Sequence, residues 1–188
     1  MAGKYLSLLV HFTWSTAGRE PWLEASMRDD LYSYVGGIMR KKKAKLLSAG
    51  GMFDHIHLYA SMPSTISIAD FVNAVKSNSS RWIHESFSNL RNFAWQEGYG
   101  AFSVSKSEEA RVMQYIANQE SHHRKRSWKE ELVALLDKHG IEYDKALSLG
   151  LTICRTFGAQ LSFFDLTTPL RTWLLNFGPS GLTEGYND

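Results

Sequence analysis

The run Asp54-His55-Ile56-His57-Leu58 sets two imidazoles on either side of one apolar residue, and a later segment carries Tyr115 and Gln119 at i and i+4. Two histidines in that arrangement can hold a divalent metal, with the Gln119 amide oxygen as a third ligand. A phenol beside the metal can attack a phosphate whose charge the metal offsets. The combination predicts DNA strand cleavage by a tyrosine nucleophile.

Positioning decides whether these groups can act together. On a strand, successive side chains alternate faces, so His55 and His57 share one face while Ile56 and Leu58 point into a core on the other. From this fragment alone, a metal site and a satisfied histidine pair both remain open. Residues at i and i+4 share a helical face, so one helix could present both the Tyr115 phenol and the Gln119 amide. Tyr115 also fits an ordinary apolar stripe with Val112, Met113 and Ile116.

The elements follow from periodicity. Residues 5 to 14 read as a strand, with alternation clearest from Leu8 to Trp14, and residues 24 to 43 as a helix with an apolar stripe of Leu31, Tyr34, Val35, Ile38 and Met39. The Gly36-Gly37 pair works against that helix. Residues 45 to 50 and 54 to 62 form a hairpin-like pair of strands around Gly51, the second carrying the histidines. A helix over 67 to 88 opens at Ser67 as N-cap, and 101 to 105 is a short strand. Ser107-Glu108-Glu109 opens a helix running to about Ser121, with Glu109 one place short of the capping-box position. A last helix spans about 127 to 139 and stops at Gly140. The order predicts an α+β fold: a ferredoxin-like, RRM-like βαββαβ antiparallel sheet with helices on one face, followed by a tyrosine helix and a further helix. The other sheet face is left to hold the site.

Composition restricts the classes. The chain has 188 residues, 44% hydrophobic and 21% charged, with a net charge of +2, which suits one ordinary globular domain or slightly more. No apolar run reaches the roughly 18 residues of a membrane span, and the first residues lack a cleavable leader pattern. A cytoplasmic protein with no membrane partner is expected. A lone Cys154 leaves any metal to His, Gln, Asp or Glu, which suits Mg2+ or Mn2+. The small net charge hides two basic blocks, Arg40, Lys41, Lys42, Lys43 and Lys45, then Arg124, Lys125 and Arg126. These could neutralise phosphates or simply sit as solvated cations at helix ends.

Four segments together, 51–58, 75–83, 95–104 and 115–119, resemble the IS200/IS605-type Y1 transposases, which include the REP-associated tyrosine transposases. These are His-hydrophobe-His single-strand nucleases. The resemblance runs over roughly residues 5 to 144, giving a domain over 1–144 and an extension over 145–188 of unassigned role. It implies His55 and His57 as paired metal ligands, Gln119 as the third, and Tyr115 as the nucleophile. It further implies a 5'-phosphotyrosine intermediate with a free 3'-hydroxyl that can reverse the step. No nucleotide cofactor is required, and no Walker-type phosphate loop is present. The implied substrate is single-stranded DNA bearing a hairpin, and the implied assembly a homodimer whose tyrosine helices are either retained or exchanged.

Candidate phosphate contacts are Lys76 and Arg81, with the two basic blocks. Trp14, Trp82 and Trp95 are read as core residues more readily than as base-stacking surfaces. His122 and His123 read as polar residues at a helix end, and Ser79 and Ser80 as a polar helix face. The extension is rich in Leu and Phe without a sustained period, which favours an appendage packed on the sheet or on a partner. A non-catalytic binder of hairpin DNA or RNA on the same fold is the alternative function. A replication initiator or relaxase would order or space its motifs differently.

Overall fold

The computed structural model describes residues 5–123 and 127–143. Arg124, Lys125, Arg126, the His122 side chain and the extension 145–188 therefore lie outside the described residues. Four strands, β1 (Leu9–Ser15), β2 (Lys45–Gly51), β3 (His55–Ser61) and β4 (Gly100–Ser103), form one sheet in the order β2-β3-β1-β4. All three pairings are antiparallel, as the βαββαβ reading requires. β1 starts at Leu9 rather than Tyr5, because Leu9 faces Ser61, the last residue of β3. One further bond, Met62 N–H to Leu8 O at 2.8 Å, ends the pairing, and Tyr5 is 98% exposed.

Two helices cover one face. In α1 (Ala25–Lys41) the buried residues Met27, Leu31, Val35, Ile38 and Met39 form one stripe, and α2 (Ile68–Ser86) buries Phe71, Val72, Val75 and Ile83. Both stripes meet Phe12, Trp14, Ile56, Leu58 and Ala60 of the central strands. Ser67 caps α2, its hydroxyl accepting the Asp70 N–H at 3.0 Å. The Gly36-Gly37 pair does not interrupt α1. Each glycine costs about 1 kcal/mol in a helix, whereas each fully buried large side chain contributes roughly 1.5–3 kcal/mol.

The opposite face is not open. Where the sequence predicts one helix to about Ser121, the chain makes a short 3-10 turn at Lys106–Glu108, then α3 (Glu109–Ala117), a break, and α4 (Gln119–His123). The break falls at Asn118, whose φ of −98° and ψ of 21° leave the α-helical region. Asn118 competes locally with helical hydrogen bonding and tolerates such geometry. Tyr115 and Gln119 thus stand on successive helices, not on one helical face. α3 lies so close to β2 that a Cβ at Gly50 would run into the Ile116 carbonyl oxygen, so this contact needs glycine. Behind it, α5 (Trp128–Lys138) opens with a full Ser127/Glu130 capping box and packs Trp128, Leu132 and Leu136 around Phe102 of β4. It ends before Gly140, whose φ of 62° suits the residue after a helix. Among the described residues no helix is long and apolar enough to cross a membrane.

Candidate metal and tyrosine site

Strand pairing assembles the site. Pairing sets Thr13 opposite His57 and His11 opposite Tyr59, so His11, Thr13, His55, His57 and Tyr59 share the face roofed by the later helices. His55 and His57 are 1% and 0% exposed, with their rings 5.2 Å apart and edge-on. Burial reaches every residue of β1 from His11 to Ser15, because helices cover both faces and the polar residues line an enclosed site rather than solvent.

Each histidine is oriented from behind. Asp54 sits just before β3, and its Oδ1 lies 2.7 Å from His55 Nδ1, while its Oδ2 accepts 2.8 Å and 3.2 Å bonds from Arg19 Nη2 and Nε. Burial alone would raise the Asp54 carboxyl, but hydrogen bonds from His55 and Arg19 outweigh it and hold the group below its ordinary value. With Nδ1–H directed at a carboxylate, His55 keeps its Nε2 lone pair for the interior. His57 Nδ1 lies 2.9 Å from His11 Nε2. Burial first, and the neighbouring His57 second, push His11 well below the usual imidazole range. A neutral His11 can then accept the His57 Nδ1–H, which leaves His57 Nε2 facing Glu131.

Three groups from the roof meet these nitrogens. Glu131 of α5 places Oε1 3.5 Å from His57 Nε2 and Oε2 3.0 Å from His123 Nε2. Gln119 Nε2 donates to Glu131 Oε1 at 3.0 Å. One ligand atom from each of His55, His57, His123 and Glu131 lies within 4.8 Å of the others. Burial pushes the Glu131 carboxyl up to about 7; His55 lowers it and Asp54 raises it further. The Tyr115 ring stands edge-on to His57 at 5.8 Å and to His11 at 6.0 Å. A cleft of about 430 Å³ runs from this point outward, walled by Phe102, Val112 and Leu135, with Tyr115 and Glu131 inside and Arg111 and Lys138 among its cations.

The donor set fits a divalent cation. It offers imidazole nitrogens and one carboxylate, and atoms around a single ion at about 2.1 Å would be about 3–4.2 Å apart, close to the spread observed. His55 Nε2 and Gln119 Oε1 are buried with no hydrogen-bond partner among the described residues. Such atoms are costly unless a ligand satisfies them.

A family model described as "Transposase IS200 like" matches residues 4–119. The chain belongs to the IS200-like transposase family. An IS200 transposase of Salmonella typhimurium is 34% identical over 95 residues, covering 45% of this chain and 61% of that protein. The chain therefore spans about three fifths of that relative's length. The ISDra2 transposase TnpA of Deinococcus radiodurans is 27% identical over 122 residues, 62% of this chain and 87% of that protein. A crystal structure of a candidate transposase from the same organism superposes with a TM-score of 0.53 at 28% identity, covering 63% of this chain and 95% of that one. The REP-associated tyrosine transposase bound to a REP hairpin has a similar fold, with a TM-score of 0.50 at 14% identity over 65% of this chain and 73% of that one.

Within this IS200-like chain the structure brings His55, His57, Gln119 and Tyr115 into one neighbourhood, as expected, and adds others. His11, Arg19, Trp128 and Glu131 have no motif that marks them in the sequence, and His123 belongs to the site rather than to a solvated helix end. One signal was available: Glu131 occupies the stripe of Trp128, Leu132 and Leu136, and an acid on an apolar stripe needs a buried partner.

The basic candidates fall elsewhere. Arg40, Lys41, Lys42, Lys43 and Lys45 are exposed, but Lys45 faces Ser61 whereas Gly50 faces His57. That puts the block about 17 Å along the ladder from the histidines, at roughly 3.3 Å per residue. Arg81 is exposed on α2, behind the sheet. Lys76 is a correction: its Nζ donates to the carbonyls of Gln96, Glu97 and Gly98 at 2.8, 3.2 and 2.7 Å. Burial lowers its ammonium to about 8, and it acts as a clamp on the loop before β4. Trp14, Trp82 and Trp95 belong to the core, and Ser79 donates within α2 to Val75 O while accepting from Trp95.

Proposed function

We propose that this protein cleaves and rejoins single-stranded DNA through a tyrosine–DNA intermediate at the site between β3 and α3. The observation that carries the reading is the Tyr115 ring against His57, in a cleft that also reaches Glu131. His55, His57 and Gln119 would hold Mg2+ or Mn2+. The ion would supply Lewis-acid stabilisation of the scissile phosphate.

The chain's own residues do the rest. His55 and His57 are pre-oriented by Asp54 and His11, which avoids rearrangement when the ion and phosphate arrive. Tyr115 Oη attacks phosphorus, forming an oxygen–phosphorus bond as the bond to the 3'-oxygen breaks. The phenolic proton leaves Tyr115, and the departing 3'-oxygen is protonated. The reverse attack by a 3'-hydroxyl rejoins a strand, so the phosphotyrosine conserves the bond energy. A hairpin-bearing strand is the proposed substrate, supported by the hairpin held by the REP-associated transposase of similar fold. Arg111 and Lys138, which line the cleft, supply cations for its backbone. Because Tyr115 lies beside the His57 of its own chain, a homodimer would carry two self-contained sites.

A purely binding function on this sheet would display aromatics for base stacking. Its place is taken here by His11, His55 and His57, buried under α3 and α5. The test is a labelled hairpin-bearing single strand with Mg2+ or Mn2+. Wild type should form a covalent protein–DNA adduct, and Tyr115→Phe should lose it while still binding DNA. An adduct persisting in that variant would overturn the assignment.

A further inference from the structure

Glu131 lies beyond the matched segment 4–119, yet it is the most connected group of the site. The carboxylate is 3% exposed, and α5 brings it in from the far side of β4. His57, His123 and Gln119 all converge on it. Among the described residues its ion-pair partners are histidines, His57 and His123, with no lysine or arginine. A buried carboxylate without a permanent cation is expensive unless it serves a bound ion.

We propose that Glu131 is a direct, anionic ligand of the divalent metal, joining His55, His57 and the Gln119 amide oxygen, with the Gln119 amide N–H and His123 holding its carboxylate in place. This rests on the reading of the histidine pair as a metal site. Two physical arguments support it. A set of His55, His57 and Gln119 alone carries no negative charge, whereas Mg2+ and Mn2+ favour oxygen donors and are bound best where a carboxylate offsets their charge. The geometry also agrees: Glu131 Oε1 faces His57 Nε2, and its atoms belong to the group lying within 4.8 Å. The Gln119 bond explains the position of that side chain as well. Its amide nitrogen is turned to Glu131, while its oxygen stays available on the inner side. About two coordination positions of an octahedral ion then remain for water and a phosphate oxygen. In this assignment α5 is a structural part of the metal centre rather than an appendage after the tyrosine helix.

Mn2+ binding to the full-length protein, measured by calorimetry and by the EPR signal of free Mn2+, tests this without reference to cleavage. Glu131→Gln should weaken Mn2+ binding by more than about 100-fold, beyond the roughly 10–100-fold typical of outer-shell losses, and His57→Ala should abolish it. Wild-type affinity in Glu131→Gln alongside loss in His57→Ala would overturn the Glu131 assignment and leave the histidine reading standing. Unchanged affinity in His57→Ala would overturn both. A measurement on wild type avoids any folding defect of the variants. With glutamate carboxyls labelled with 13C, the Mn2+-loaded protein should show the strong 13C hyperfine coupling of a directly bound carboxylate, and its absence would overturn the assignment.

Discussion

Glu131→Gln should make the metal-free protein more stable, although the same change removes a proposed ligand. In the folded chain the Glu131 carboxyl titrates at about 7 against an ordinary value of 4.5. The folded state therefore holds this proton more tightly than the unfolded chain does. The sign follows: the destabilisation is absent below the ordinary carboxylate range, grows between about pH 4.5 and 7, and is complete above pH 7. At about 1.36 kcal/mol per pKa unit, the ceiling is about 3 kcal/mol. The substituted amide can still accept from Gln119 through its oxygen but loses the charged contact with His123. That loss returns about 1–2 kcal/mol. The net gain at pH 8 is then about 1–2 kcal/mol, a rise in Tm of about 3–6 °C for a chain of this size. The assay is thermal unfolding in EDTA at pH 8 and pH 5, with and without added Mn2+. The variant should melt above wild type at pH 8, and most of the difference should vanish at pH 5. Saturating Mn2+ should reverse the order, because an ion that binds only the folded state stabilises the chain with the intact ligand more. A variant that melts at or below wild type at pH 8 in EDTA would refute the claim that an ionised Glu131 is costly in the empty site.

Three further outcomes can be checked directly. Asp54→Asn removes the carboxylate behind His55 Nδ1 and its charged bonds with Arg19, so Mn2+ affinity, measured by calorimetry, should fall about 10–100-fold. Gly50→Ala drives a methyl group into the Ile116 carbonyl. It should cost about 1–3 kcal/mol in denaturant unfolding and lower adduct formation by tilting α3. Mixing His57→Ala chains with Tyr115→Phe chains should restore no cleavage, because Tyr115 packs on the His57 of its own chain; recovery would demonstrate that tyrosine helices are exchanged between subunits.

How much of this was legible in the sequence depends on the range of each interaction. The faces of His55, Ile56, His57 and Leu58 follow from strand alternation alone, and the structure puts Ile56 and Leu58 in the core as that period requires. The Ser67 cap and the end of α5 at Gly140 are equally local. The break at Asn118 was misread because Val112, Tyr115, Ile116 and Gln119 continue a helical spacing across it. Gln119 nevertheless reaches the site, since after the break α4 turns it inward, where it is 2% exposed. The i, i+4 spacing thus predicts the proximity of Gln119 to the site, though the local geometry that delivers it differs.

The unread residues have a common physical cause. His11 matters only because β1 pairs with β3 in the register that sets Thr13 opposite His57, and Glu131 only because Phe102 draws α5 against β4. Neither contact has a local period, so neither can be inferred from neighbours in the chain. Both are nevertheless buried polar groups: His11 stands with Thr13 and Ser15 on the polar face of β1, and Glu131 interrupts the apolar stripe of α5. A polar group is retained at such a position only if something there compensates its desolvation. For His11 the compensation is visible in the bond to His57. For Glu131 the partners among the described residues are His57, His123 and Gln119, with no fixed cation, and the charge left over is the strongest reason to expect that a divalent ion completes the arrangement.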